Sequence, residues 1–366
     1  MEYVQERVTT LHDLGGATPD APVDRAAVVV PMTEREYAGL AAERVLSTLE
    51  RIAPGRVVVP LRASASRVDA FAEWLADYDL PLTLLWCDGP GVETLLRDGG
   101  LAGERGKGRD VWLALGAALA GDEEYVVFHD ADTKTYDRTY VPRLLFPLAR
   151  GHSFSKGYYA RVENRRLYGR LFRLFYAPLV RALAADHDAA VLDYLASFRY
   201  ALAGEFAATR DLAARLRMQR SWGLEVGTLG DAFAHVGFDG SAQVDLGAYE
   251  HDHRAVSGPT GLSDMSRQVG MALFAVVEAE GVHPAYETLP ARYRETARRF
   301  VRAYGADAAF NGLDYPVDEE RSQVDRYAEA IVPPAGDDRL PAWADAPIDP
   351  DEVCERAAAD LREVRE

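Results

Sequence analysis

The chain has 366 residues, 48% of them hydrophobic and 27% charged, which is ordinary for a globular protein and excludes a disordered, collagen-like or disulfide-scaffold chain. By length it holds about two domains, or one large α/β domain with extensions. Asp and Glu number 58 against 41 Lys and Arg, and the net charge of −17 argues against non-specific binding to nucleic acid or anionic lipid, because like charges repel.

Residues 1–24 precede the first strand pattern as an N-terminal extension. Ala26–Pro31 (AAVVVP) is a buried-strand run, and Thr33 with Glu36 forms a capping-box pair ahead of Tyr37, Ala41, Val45 and Leu49 at helical spacing. Arg56–Leu61 predicts a second strand, Val68–Tyr78 a helix carrying Phe71 and Trp74, and Pro81–Cys87 a third strand. Asp110–Ala120 predicts a helix, and Tyr125–Phe128 (YVVF) a fourth strand that ends in His129-Asp130-Ala131-Asp132. Strands apolar on both faces, alternating with helices, point to an α/β fold with a mostly parallel sheet covered on each side. Ligands of such sheets bind beyond the carboxyl ends of the strands, where Asp130 and Asp132 fall. Further on, Val162–Leu183 predicts a long Arg- and aromatic-rich helix. Gly204–Arg215, Gly227–Val236, Met265–Glu280 and Ala291–Tyr304 predict further helices, and Gln243–Leu246 a short strand. Residues 333–350, rich in Pro and Asp, predict a linker before a final helix, Glu352–Val364, capped by Asp349 with Glu352. The expected organisation is a catalytic domain over 25–255, with a donor half at about 25–135 and an acceptor half at about 136–255. A C-terminal helical lobe over 256–332 and the segment 333–366 follow.

Asp130-Ala131-Asp132 is the sharpest chemical signal. Two carboxylates at a strand end can turn to one hard cation such as Mg²⁺ or Mn²⁺, which would neutralise a departing diphosphate; the plainer reading is a solvated turn. Lys107 is one of only three lysines, with Lys134 and Lys156, and stands in Gly106-Lys107-Gly108 before a helix. This is not a P-loop, since no Ser or Thr follows, but it could present an ammonium to phosphate oxygens. His251, in Glu250-His251-Asp252-His253-Arg254, could complete a metal site with the Asp pair, or lie in a polar loop. Arg166, Arg170 and Arg173 share one helical face suited to an anion, to a membrane surface, or to nearby acids. Glu225, flanked by Gly223 and Gly227, is either a functional carboxylate or an acid at a helix N-terminus. Cys87 and Cys354 lack metal or disulfide spacing. The N-terminus has no secretory signal pattern, and no apolar run reaches the roughly 18 residues of a spanning helix. The expected location is the cytoplasm. Acidity with few lysines fits a salt-adapted host, and fits equally a genome rich in Arg and Ala codons.

Taken together, VVVP, GKG, DAD, SKGYY, GEFAATR, WGLEVG and QVDLGAYEHDHR followed by MSRQV resemble the glucosyl-3-phosphoglycerate synthases in order and spacing over roughly residues 25–270. VVPMTE, GKG and DAD are more distantly similar to mannosyl-3-phosphoglycerate synthases. The resemblance implies a GT-A glycosyltransferase that takes a UDP- or GDP-hexose and Mg²⁺ or Mn²⁺ and retains anomeric configuration by front-face attack. It implies Asp130, Asp132 and His251 at the metal, and Lys107 at the donor diphosphate. Pro31, Thr33, Glu34 and Ser64 would line the nucleotide pocket, Gly204 and Glu205 the sugar pocket, and Glu225 would bind sugar hydroxyls. Lys107, Asp132 and Glu225 would carry catalysis, and Gly169, Arg170, His253 and Arg254 would hold the acceptor. The chain departs from the family at PMTERE, at Leu61-Arg62-Ala63-Ser64, at Phe172 in place of a Thr, and at His253 in place of an Asn.

The leading reading is transfer of a hexose to a small phosphorylated or carboxylated acceptor, most simply 3-phosphoglycerate. A lipid-linked or glycan acceptor is the alternative favoured by Phe172 and the aromatic Arg-rich segment, and a non-catalytic nucleotide-sugar-binding protein is the second. A nucleotidyltransferase would carry a Gly-rich basic signature near the first strand, which is absent. A homodimer through the C-terminal helices is compatible with the sequence.

Overall fold

The computed structural model describes residues 5–220, 222–252 and 259–365. Its strands are β1 (Thr9–Leu11), β2 (Ala26–Val29), β3 (Met32–Thr33), β4 (Arg56–Arg62), β5 (Leu82–Trp86), β6 (Tyr125–Phe128), β7 (Phe154–Ala160), β8 (Val162–Glu163), β9 (Arg166–Leu167), β10 (Phe206–Thr209) and β11 (Ser241–Ala248). Between and after them run α1 (Leu40–Ile52), α2 (Ala65–Ala76), α3 (Pro90–Asp98), α4 (Lys107–Leu119), α5 (Tyr140–Leu148), α6 (Ala177–Ala184), α7 (Ala190–Ser197), α8 (Arg210–Ala213), α9 (Leu224–Val236), α10 (Pro259–Ala279), α11 (Leu289–Phe310), α12 (Val317–Ala328) and α13 (Pro350–Arg365).

The main sheet runs β1-β11-β7-β10-β6-β2-β4, and both β3 and β5 pair with β4. Every neighbouring pair is parallel except those of β10, which is antiparallel to β6 and to β7. Val28, Val29, Val57, Val58, Val59, Val126 and Val127 are buried, as expected of central strands covered by helices on both faces. The expected mostly parallel α/β sheet is what the chain builds. Among the described residues, no helix is long and apolar enough to cross a membrane.

Several local expectations are corrected. The Thr33–Glu36 capping box forms, but it caps one 3₁₀ turn, Glu34–Glu36. Ala38, at φ +47°, breaks the chain before α1 begins at Leu40. The long helix expected over Val162–Leu183 is a hairpin, β8–β9, followed by a π-helical segment, Leu171–Tyr176, and α6. Asn164 and Arg165 have φ of +48° and +60°, and two left-handed residues in succession make the tight turn that a helix cannot contain. The helix expected over Gly204–Arg215 is the strand β10 followed by the single turn α8. Phe206-Ala207-Ala208 is a short apolar run that is ambiguous by period, and pairing on both edges settles it as a strand.

The segment 333–350 has little regular structure yet is anchored. Leu340 bridges Met218, and Trp343 stacks on Trp112 with ring centroids 4.0 Å apart. Trp112 Nε1 donates to Pro341 O at 2.7 Å, and Trp343 Nε1 donates to Trp112 O at 2.8 Å. This strap carries α13 back against α2, α3, α4 and β5. Buried Asp360 of α13 accepts from the backbone N–H groups of Gly91 and Val92 at 2.8 and 3.0 Å, capping the start of α3.

Candidate active site

Parallel strands end together, so loops after β2, β4, β6, β7 and β11 share one edge of the sheet. β10 runs the other way, and Phe206 pairs with Phe128, so the residues leading into β10, Gly204 and Glu205, meet the residues leaving β6. α4 leads back to the start of β6 and α9 to the start of β11, so both helices begin at this edge, with Lys107 and Glu225 in their first turns.

Lys107 and Asp130 form an ion pair there, and Lys107 Nζ lies 4.0 Å from Glu225 Oε1. Burial works against the Lys107 ammonium, but Asp130 and Glu225 outweigh it and hold its pKa above the usual lysine value. Asp130 is likewise resisted by burial and held below the usual carboxylate range by Lys107. Gly204 makes this geometry admissible: a β-carbon there would stand 2.6 Å from Asp130 Oδ2. Gly108 has a packing role instead, since a β-carbon would overlap the Gln219 carbonyl, and Arg109 N bonds Arg220 O at 3.0 Å. GKG is thus a tightly packed helix start that presents Lys107 from the first turn of α4.

The Asp130–Asp132 turn is tied to the loop after β11. Lys134 N bonds Glu250 O, Asp252 N bonds Asp132 O, each at 2.8 Å, and Thr133 bridges His251. His251 Nδ1 consequently lies 3.1 Å from Asp132 Oδ1. Two carboxylates and an imidazole suit a hard divalent cation. The Asp132–His251 pair is assembled, while Asp130 is turned to Lys107. Among the described residues no three His, Cys, Asp or Glu side chains gather closely enough to hold an ion.

Glu205 is fully buried and accepts from Tyr249 OH at 2.5 Å and Tyr159 OH at 3.0 Å. Burial, and then Asp130, raise its pKa. Tyr159 and Tyr249 stack at 3.9 Å, and Thr133 Oγ1 meets Tyr249 OH at 2.8 Å. On the other side, Ser64 N donates to Glu34 Oε1 at 2.5 Å, and these bonds from Ser64 hold Glu34 below the usual range. Thr33 pairs with Arg62 in the β3–β4 register, so Pro31–Glu34 lies beside Leu61–Ser64.

The Arg stripe divides. Arg170 and Arg173 face α12: Arg170 Nε lies 2.5 Å from Glu320 Oε1, Arg170 Nη2 lies 3.2 Å from Glu319, and Arg173 Nη1 lies 3.2 Å from Glu320 Oε2. Arg166 pairs instead in the hairpin. Phe172 packs on Tyr200, whose hydroxyl a β-carbon on Gly169 would meet at 2.8 Å. His253 and Arg254 lie outside the described residues.

Sequence reasoning passed over four features. Tyr159 and Tyr249 stand in the quoted SKGYY and LGAYEHDH runs, but nothing local says that they turn to Glu205. Lys156, fully buried, donates to Ala203 O at 2.7 Å beneath Gly204. A buried network joins Arg109 to Asp88 at 2.7 Å and to Asp110 at 2.9 Å, with Arg62 3.3 Å from Asp110, and braces the ends of β4, β5 and α4. Arg161, at the end of β7, touches Tyr200.

No protein-family model matches the chain. It is 33% identical to a glucosyl-3-phosphoglycerate synthase of Methanococcoides burtonii, over 92% of this chain and 90% of that protein. It is 34% identical to one of Persephonella marina, over 83% and 79%. A solved structure of the Mycobacterium tuberculosis glucosyl-3-phosphoglycerate synthase, in complex with Mn²⁺, UDP-glucose and phosphoglyceric acid, matches with a TM-score of 0.56 at 25% identity, covering 76% of this chain and 89% of that one.

Proposed function

The chain belongs to the glucosyl-3-phosphoglycerate synthase family of glycosyltransferases, and on that premise we propose that it transfers glucose from UDP-glucose to 3-phosphoglycerate with retention of configuration. The observation that carries this reading is the meeting of Lys107, Asp130, Glu225 and Gly204–Glu205 at the carboxyl edge of the sheet.

Asp130, Asp132 and His251 would hold the divalent cation, and their oxygen and imidazole donors fit Mn²⁺ or Mg²⁺. When bound, that ion supplies charge neutralisation at the diphosphate leaving group. Lys107 stays protonated through neutral pH and offers a second positive charge to the same oxygens, fixed on a helix start and half-shielded from water. Glu225 accepts hydrogen bonds from sugar hydroxyls. Glu205, already bonded by two tyrosines, keeps the wall of the sugar pocket in place. Pro31, Thr33, Glu34 and Ser64 line the nucleotide side. At the acceptor side, Gly169 keeps the chain close to Tyr200, and an anion approaching Arg170 competes with Glu319 and Glu320.

The test is turnover of a panel of UDP- and GDP-sugars with and without 3-phosphoglycerate and Mn²⁺ or Mg²⁺, followed by mass spectrometry. A hexosyl-phosphoglycerate mass from UDP-glucose, abolished by EDTA and restored by Mn²⁺, is expected. Donor hydrolysis with no phosphoglycerate product would refute the acceptor, and no reaction with any donor would refute the transferase reading.

A further inference from the structure

Among the described residues, the Arg161 guanidinium is left with few close partners. Arg161 leaves the carboxyl end of β7, and its backbone is pinned by Tyr168 N donating to Arg161 O at 2.9 Å. Its side chain is mostly covered, yet Nε is buried without a hydrogen-bond partner. Nη1 makes one long bond, 3.4 Å, to Tyr200 OH, and Nη2 comes no nearer than 4.0 Å to Glu163. A guanidinium has five N–H donors, and leaving them unmet away from water is costly unless an anion fills the gap.

Its neighbours link it to the two segments that the functional reading above assigns to the acceptor and to the sugar. Tyr200 stacks obliquely on Tyr159, whose hydroxyl bonds Glu205, and also on Phe172. The same Tyr200 hydroxyl is what a β-carbon on Gly169 would meet. Phe172, Tyr200 and Arg161 therefore form a packed series from the Gly169–Phe172 segment to the Glu205 wall. Arg170, by contrast, has both carboxylates of Glu319 and Glu320. We infer that Arg161, braced by Tyr200 on Phe172, binds an anionic oxygen group of the acceptor and is a specificity-determining residue of the transfer. This rests on the functional reading above, because the anion it would take is that of the acceptor substrate.

The experiment measures KM for 3-phosphoglycerate and for UDP-glucose in the wild type, Arg161→Gln and Arg161→Lys. Arg161→Gln is expected to raise the phosphoglycerate KM about tenfold or more while the donor KM stays within about twofold, as loss of a charge-assisted bond to one substrate requires. Arg161→Lys, which keeps the charge, should recover part of that loss. An unchanged phosphoglycerate KM in Arg161→Gln, or equal rises for both substrates, would overturn the assignment and leave Arg161 a packing residue. If the wild type itself makes no product from 3-phosphoglycerate, the functional reading falls and the assignment with it. That failure shows in the wild type, the other only in the variant.

Discussion

Lys107 and Arg170 are both cations that meet paired carboxylates, but the two clusters are built differently. Lys107 meets Asp130 and Glu225, partly open to solvent, beside the Asp132–His251 pair, whose Asp132 side chain is 40% exposed. Arg170 and Arg173 converge on Glu320, which is only 1% exposed, and Tyr304 and Tyr315 cover Arg173. The first cluster stays partly exposed, whereas the second has closed on itself as a clamp between the π-helical segment and α12. A basic stripe in an acidic protein is therefore no guide to anion binding until its partners are known, and substitutions should separate the two clusters.

Asp132→Ala should have the largest effect, lowering kcat/KM about a thousandfold through loss of charge stabilisation at the leaving group, with the unfolding midpoint hardly moved because the side chain is 40% exposed. Retention of a tenth of wild-type activity would put the charge centre elsewhere. Glu320→Gln should invert that pattern. It strands the buried Arg173 and should cost about 3 kcal/mol in denaturant unfolding, with the UDP-glucose KM unchanged. A stability loss too small to measure would mean that the clamp is ornamental and that Arg170 is free for the acceptor.

Lys156 sharpens the contrast through pH. Burial pushes its pKa down to about 8, from 10.5 when unfolded. Between those values the unfolded chain binds more protons than the folded one, so stability rises with pH. The wild type should thus gain up to about 3 kcal/mol relative to Lys156→Met from pH 8 to 10.5. Parallel stability curves for the two would show that Lys156 does not titrate there. Gly204→Ala should have the smallest effect, a loss of about tenfold in kcat as the new methyl displaces the Asp130 carboxylate, with binding of the cleft's other ligands retained. Full activity would show that Asp130 can turn away without consequence.

Short-range pattern was enough for much of this molecule. Apolar runs bounded by turns marked β2, β4 and β6, because a central parallel strand is buried on both faces and says so in a short run, and the same kind of run marked β5, which pairs only with β4. DAD was legible as a strand-end pair for the same reason, and Lys107 stood out by rarity. The β8–β9 hairpin was hidden because its turn depends on two left-handed residues, Asn164 and Arg165, inside a run of helix-compatible ones. β10 was hidden because its strand character comes from neighbours on both sides.

What the sequence determined by itself was the alternation of strand and helix and the residue types at the strand ends, since both follow from chain-local burial and hydrogen bonding. Tertiary structure alone decided the partners. Asp132 meets His251 from 119 residues away, Arg170 meets Glu320 from 150, and Gly91 meets Asp360 from 269. Such pairings depend on where the sheet edge and the returning helices bring side chains together, and no period or spacing along the chain encodes that distance.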